Sequence, residues 1–161
     1  MKLFETLLKE KFELLFDGID FDDKKIATTK KFLNFCCDEL GLKEKFNCHI
    51  ISDREKYGVN TTAYYRDKDK MVVVYAKNRM LGDVLRSIAH ELVHQLQHEE
   101  DRISYPVQDE GGDIENEANA KAGEIVKKFI SKKTMYGIRK VLWKHLKKES
   151  MKLQREPYKL S

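Results

Sequence analysis

Apolar residues recur at helical spacing over residues 2–16, where Leu3, Leu7, Leu8, Phe12, Leu15 and Phe16 form one stripe that Asp17-Gly18 ends. A second helix is predicted over residues 22–40, with Ile26, Leu33 and Cys37 along one face and Gly41 as its stop. The pattern then changes. Residues 46–52, 61–66 and 71–76 are rich in β-branched and aromatic side chains and read as strands, and the polar residues 67–70 join the last two as a hairpin. Helical spacing returns over residues 83–98, and after a polar loop with Pro106 and Gly111-Gly112 it resumes over 114–130 and 135–148. Helices, a small three-stranded sheet and more helices make an α+β fold. The 161 residues suit a single domain: N-terminal helices in 1–41, a core in 46–130 and a basic helical extension in 131–161.

The helix over 83–98 carries His90-Glu91-Leu92-Val93-His94. At about 100° per residue the two histidines lie about 40° apart, so both imidazoles can reach one ion. Leu81, Leu85, Ile88, Ala89, Leu92, Val93 and Leu96 fall on the nearly opposite side. One face therefore packs into a core while the other presents ligands. Glu91 stands next to the ligand face, where a carboxylate can take a proton from a water without binding the ion.

A catalytic zinc site needs a third protein ligand and an open fourth position. Downstream candidates are His98, Asp101, Asp109, Glu110, Asp113, Glu115 and Glu117. His98 sits a further turn along the same helix, too far along the axis to share the ion with His90. The helix beginning near residue 113 approaches better. Its Glu115 and Asn119 are four apart and share a face, so Glu115 can bind the metal while Asn119 holds the far nitrogen of a ligand histidine. Ala118, Ala122 and Gly123 permit close approach of the two helices, and Glu117 points away toward solvent.

His90-Glu91-x-x-His94 followed by Glu115-x-Glu117-Ala118-Asn119-x-x-Ala122 resembles the zincin metallopeptidases. Within them it resembles the gluzincin branch, where a glutamate on a following helix is the third ligand. The pattern is similar to that of the Ste24-like membrane peptidases and of small soluble peptidases that cleave phage repressors and related regulators. Over roughly residues 60–130 the resemblance implies a zincin-like domain holding one Zn2+ on His90, His94 and Glu115, with Asn119 in support. It implies Glu91 as general base in the hydrolysis of a peptide or protein substrate. The metzincin pattern is excluded, because Gln97 and Glu100 occupy the positions where it needs Gly and His. A second oxyanion donor is wanted, and Tyr105, Tyr136, Arg139 and His98 are the candidates. One of the two hairpin strands is expected to be a sheet edge that aligns an extended peptide.

Charge adds a second theme. Residues 127–161 carry 12 Lys or Arg against 2 Glu, a net of +10, and the first 126 carry −6 of the whole chain's +4. The basic segment, with Trp143 among its lysines, reads as a packed helix with a solvated face, as a contact for nucleic acid or an acidic partner, or as a dock for an anionic membrane. An alternative function follows: a catalytically inactive zincin-fold adaptor that binds nucleic acid or an acidic protein through this helix. An acidic stretch between the metal helices (Glu99, Glu100, Asp101, Asp109, Glu110, Asp113) suggests a preference for basic peptides. The three cysteines form no CxxC pair, no apolar run is long enough to span a bilayer and no export signal is visible, so the expected compartment is the cytoplasm.

Overall fold

The computed structural model describes residues 11–103 and 112–153. Its contacts divide the chain into two units, 1–126 and 127–161.

The first unit is built on a four-stranded mixed sheet in the order β1-β2-β4-β3. The strands are β1 (Phe12–Asp17), β2 (Phe46–Ile51), β3 (Ala63–Arg66) and β4 (Met71–Tyr75). β1 and β4 run parallel to β2, and β3 closes the hairpin antiparallel to β4. Helix α1 (Asp23–Leu40) is the crossover that parallel pairing of β1 and β2 requires. Its ends match the sequence reading. The Asp22 carboxylate accepts from the Lys25 N–H at 2.7 Å, and Gly41, at φ 63°, closes the last turn in the left-handed region.

The fold class is the expected α+β, with a correction at the N-terminus. Of the helix predicted over 2–16, residues 2–10 lie outside the described residues, and Phe12–Asp17 is a strand, so the sheet has four strands and not three. Phe12, Leu14 and Phe16 stand in register with Phe46, Cys48 and Ile50, and the Phe12 and Phe46 rings lie 5.9 Å apart. A short apolar run fits either period. The partner strand, 34 residues downstream in register and invisible to local pattern, decides between them.

β4 is the core of the sheet: Val72, Val73 and Val74 are all fully buried. Each is worth about 1.5–3 kcal/mol of hydrophobic burial, so this strand is covered on both faces. On one side Val73 packs with Ile51 and Val59, edged by Tyr57, Tyr64, Met71 and Tyr75. Val59 follows a short helix, α2 (Arg54–Tyr57), that the hydrophobic pattern does not show. Asp53 caps it and Gly58 ends it.

Helix α3 (Leu81–Glu99) buries Leu85, Ile88, Ala89, Leu92 and Val93 of the apolar face read from the sequence, together with Val84, while Leu81 and Leu96 are half-buried. The last helix, α4, runs Asp113–Leu153 where two helices were expected. Residues 131–134 hold neither Pro nor Gly to break it. In the first unit it buries Ala118, Ala122 and Ile125. In the second unit Tyr136 and Trp143 are exposed. Among the described residues no helix is long and apolar enough to cross a membrane.

Candidate metal centre

α3 sets His90 and His94 one turn apart with their rings nearly perpendicular, and the Nε2 atoms converge to 3.1 Å. The first turn of α4 brings Glu115 onto them. Its Oε2 lies 3.2 Å from His90 Nε2 and its Oε1 3.1 Å from His94 Nε2. Among the described residues this is the one cluster of His, Cys, Asp and Glu atoms close enough to hold a metal. A tetrahedral ion bound at about 2.0–2.1 Å holds its ligand atoms about 3.3 Å apart. His90 Nε2 and His94 Nε2 stand at about that separation, and each lies about as far from one oxygen of the Glu115 carboxylate. Two imidazoles and a carboxylate are also a donor set that suits zinc.

The support around the ligands is asymmetric. His94 Nδ1 lies 2.8 Å from Oε1 of Gln97, a fully buried side chain. The Gln97 amide nitrogen donates to the Ile114 carbonyl at 3.1 Å and to Glu117 at 3.0 Å. With both donors spent, Oε1 can only accept, so the proton sits on His94 Nδ1 and the Nε2 lone pair faces the cluster. Asn119 hydrogen-bonds His90, and burial, with His94 adding, holds the His90 pKa below its ordinary value. A neutral imidazole is the form a metal needs.

Glu117 corrects the sequence reading. It is half-buried and not directed to open solvent. Arg102 meets it at 2.5 Å, Lys121 at 2.6 Å, and these partners hold its pKa down at about 2. Through Gln97 it braces His94. Gln97 was noted in the sequence only as a departure from the metzincin pattern. Its place three residues after His94, on the same helix face, was the available signal. We expect Gln97→Leu to weaken metal affinity about 10–100-fold, read by competition with a calibrated chelator; an unchanged affinity would remove the bracing role.

Glu91 lies beside the ligands and is only 7% exposed. Burial, with the Glu115 charge adding, pushes its carboxyl up to about 8, against a backbone hydrogen bond from Tyr65. A divalent cation in the cluster acts the other way and favours the ionised form. The Tyr65 bond also locates β3. Tyr75 N–H donates to the Thr62 carbonyl, so by alternation Tyr64 pairs inward, and Ala63 and Tyr65 turn their main-chain groups to the open edge. β3 is thus the edge strand, and it borders Glu91.

His98 turns to the hairpin, 3.9 Å from Asp67 and with its ring 5.4 Å from that of Tyr65. Tyr105 lies outside the described residues, and Tyr136 belongs to the unit 127–161, where it is exposed. Of the acidic stretch, Glu99 accepts the Lys43 and Glu44 backbone N–H groups and Glu100 pairs with Arg102. Asp109 and Glu110 lie outside the described residues. A cavity of about 390 Å³ opens beside the cluster, lined by Thr61, Thr62, Arg79, Asp83, Arg86, Ser87, His90, Glu91 and Asn119. Its arginines and threonines carried no motif and were not singled out from the sequence.

A family model described as Peptidase_M78, the IrrE N-terminal-like domain, matches residues 44–126. No curated protein matches significantly. Among solved structures, a mutant of Wss1 from Saccharomyces cerevisiae matches at 10% identity over 78% of this chain and 95% of that chain, with a TM-score of 0.45. Wss1 from the same organism matches at 10% identity over 81% and 94%, with a TM-score of 0.42.

Proposed function

The chain belongs to the M78 peptidase family, through an IrrE N-terminal-like domain that makes it a metallopeptidase, and from that premise we propose that it is zinc-dependent, with His90, His94 and Glu115 as ligands and Glu91 as general base. The observation that carries this reading is the convergence of the two Nε2 atoms and the Glu115 carboxylate, each pair at 3.1–3.2 Å, with Glu91 alongside, at the mouth of a cavity. When bound, Zn2+ supplies Lewis acidity that lowers the pKa of a water to about 7 and polarises the scissile carbonyl.

The chain's own residues do the rest. Gln97 and Asn119 keep the two imidazoles in the ligating orientation. The Glu91 carboxylate takes the proton of the attacking water and returns it to the leaving amine. Its enclosure excludes competing solvent, and the Tyr65 N–H fixes its direction. An extended peptide laid along the open edge of β3 pairs with the outward main-chain groups of Ala63 and with the Tyr65 carbonyl, which aligns its backbone past Glu91.

The test is metal content and its removal. Protein purified without added metal or chelator should contain about one zinc per chain. Stripping it with a chelator should abolish peptide cleavage, and stoichiometric zinc should restore it. Absence of metal together with failure to take up added zinc would sink this reading.

A further inference from the structure

The cavity beside Glu91 has an uneven charge. Away from the metal cluster its wall carries two guanidinium groups, Arg79 and Arg86, and one carboxylate, Asp83. The two arginines are in different states. Arg79 is built into the wall: it donates to the Tyr75 carbonyl at 2.7 Å, to the Asp83 carbonyl at 3.1 Å and to Ser87 Oγ at 2.9 Å. These bonds tie the end of β4 to the first two turns of α3 and fix one cation in place. Arg86 has no hydrogen-bond or ion-pair partner among the described residues, although Asp83 is only one turn away. It stands four residues before His90, on the same face of α3 and about 6 Å back along the axis. Thr61 and Thr62 also line the cavity and lead directly into β3. A peptide following that edge past Glu91 therefore passes this cavity.

Resting on the metallopeptidase reading above, we propose that the cavity is a carboxylate-recognition subsite in which Arg86 sets specificity for a negatively charged group close to the cut bond. A planar guanidinium presents a fork of donors that matches a carboxylate, and charge-assisted bonds of this kind are the stronger ones. Arg79, held rigid, adds a second positive charge without having to move. The preference for basic peptides suggested by the acidic stretch is thereby reversed: Glu99 and Glu100 are engaged with the protein itself, and the charge that borders the reacting centre is positive.

The carboxylate can come from an Asp or Glu side chain or from the C-terminus of the peptide, and one experiment separates them. Zinc-loaded full-length wild type, Arg86→Gln and Arg86→Glu would be given peptide libraries with Glu, Gln or Lys at each position near the cut. Each library would be made with amidated and with free C-termini. In parallel, calorimetry would compare two peptide hydroxamates that differ only in carrying Glu or Gln, so that binding is read without turnover.

Wild type should favour the Glu hydroxamate over its Gln counterpart by about tenfold, the size of one charge-assisted hydrogen bond. Arg86→Gln should abolish the difference, and Arg86→Glu should shift cleavage toward Lys. Preference in the amidated library assigns the subsite to a side chain. Preference confined to free C-termini, with Arg86 dependence, assigns it to a terminal carboxylate. Equal binding of both hydroxamates to zinc-loaded wild type, or a preference untouched by either substitution, overturns the proposal while the metal site stands. If neither hydroxamate binds, the metallopeptidase reading fails and the subsite falls with it.

Discussion

Glu91→Gln should lower the rate of peptide cleavage by about 10²–10⁴-fold, the usual contribution of a positioned general base, while zinc content stays near one per chain. Glu91 is 7% exposed and is not one of the three clustered residues that could hold a metal. An amide of the same shape fills the same space and still accepts the Tyr65 N–H through its oxygen, so the neighbouring strand and helix have no reason to shift. It cannot take a proton from water. At 1.36 kcal/mol per tenfold, the loss corresponds to about 3–5 kcal/mol of transition-state stabilisation. Steady-state kinetics on the zinc-loaded variant, with metal content measured on the same sample, provides the check. Activity within a few-fold of wild type would exclude Glu91 as the base. Loss of zinc along with activity would instead make it a structural part of the site.

Glu115→Ala should remove the metal itself. Without the carboxylate, His90 and His94 offer two neutral nitrogens from one helix, and the contribution of α4 to the centre is gone. The loss of affinity should exceed the about 10–100-fold that an outer partner of a ligand is worth, leaving the purified variant essentially metal-free. Glu117→Ala is the informative companion. Glu117 sits two residues away and has similar charge, but its oxygens are taken by Arg102, Lys121 and Gln97. That variant should retain zinc, with affinity reduced no more than by loss of Gln97. Equal loss from both would mean that general negative charge near the histidines, and not a specific ligand, retains the ion.

The contrast between these two glutamates shows how far local pattern reaches. Helical periodicity alone separates Glu115 from Glu117 and pairs Glu115 with Asn119, because side chains four apart share a face in any α-helix. It places the apolar face of α3 opposite the histidines for the same reason. It misreads the environment of Glu117, because burial there depends on Arg102, which arrives from the segment after α3. Gln97 follows the same logic. Its position near His94 is implicit in the spacing, but its use as a clamp depends on the Ile114 carbonyl meeting it from another helix.

The sequence by itself determined the shared face of His90 and His94, the pairing of Glu115 with Asn119, the hairpin and the Gly41 stop of α1. Each is written in residues within a few turns of one another, where backbone geometry fixes the relations between side chains. Only the tertiary structure decided that Phe12–Asp17 is a strand, that β3 is the edge facing Glu91, and that Arg79 and Arg86 share a cavity with His90 and Glu91. Those outcomes depend on which distant segments pair and bury one another, and local periodicity does not record that choice.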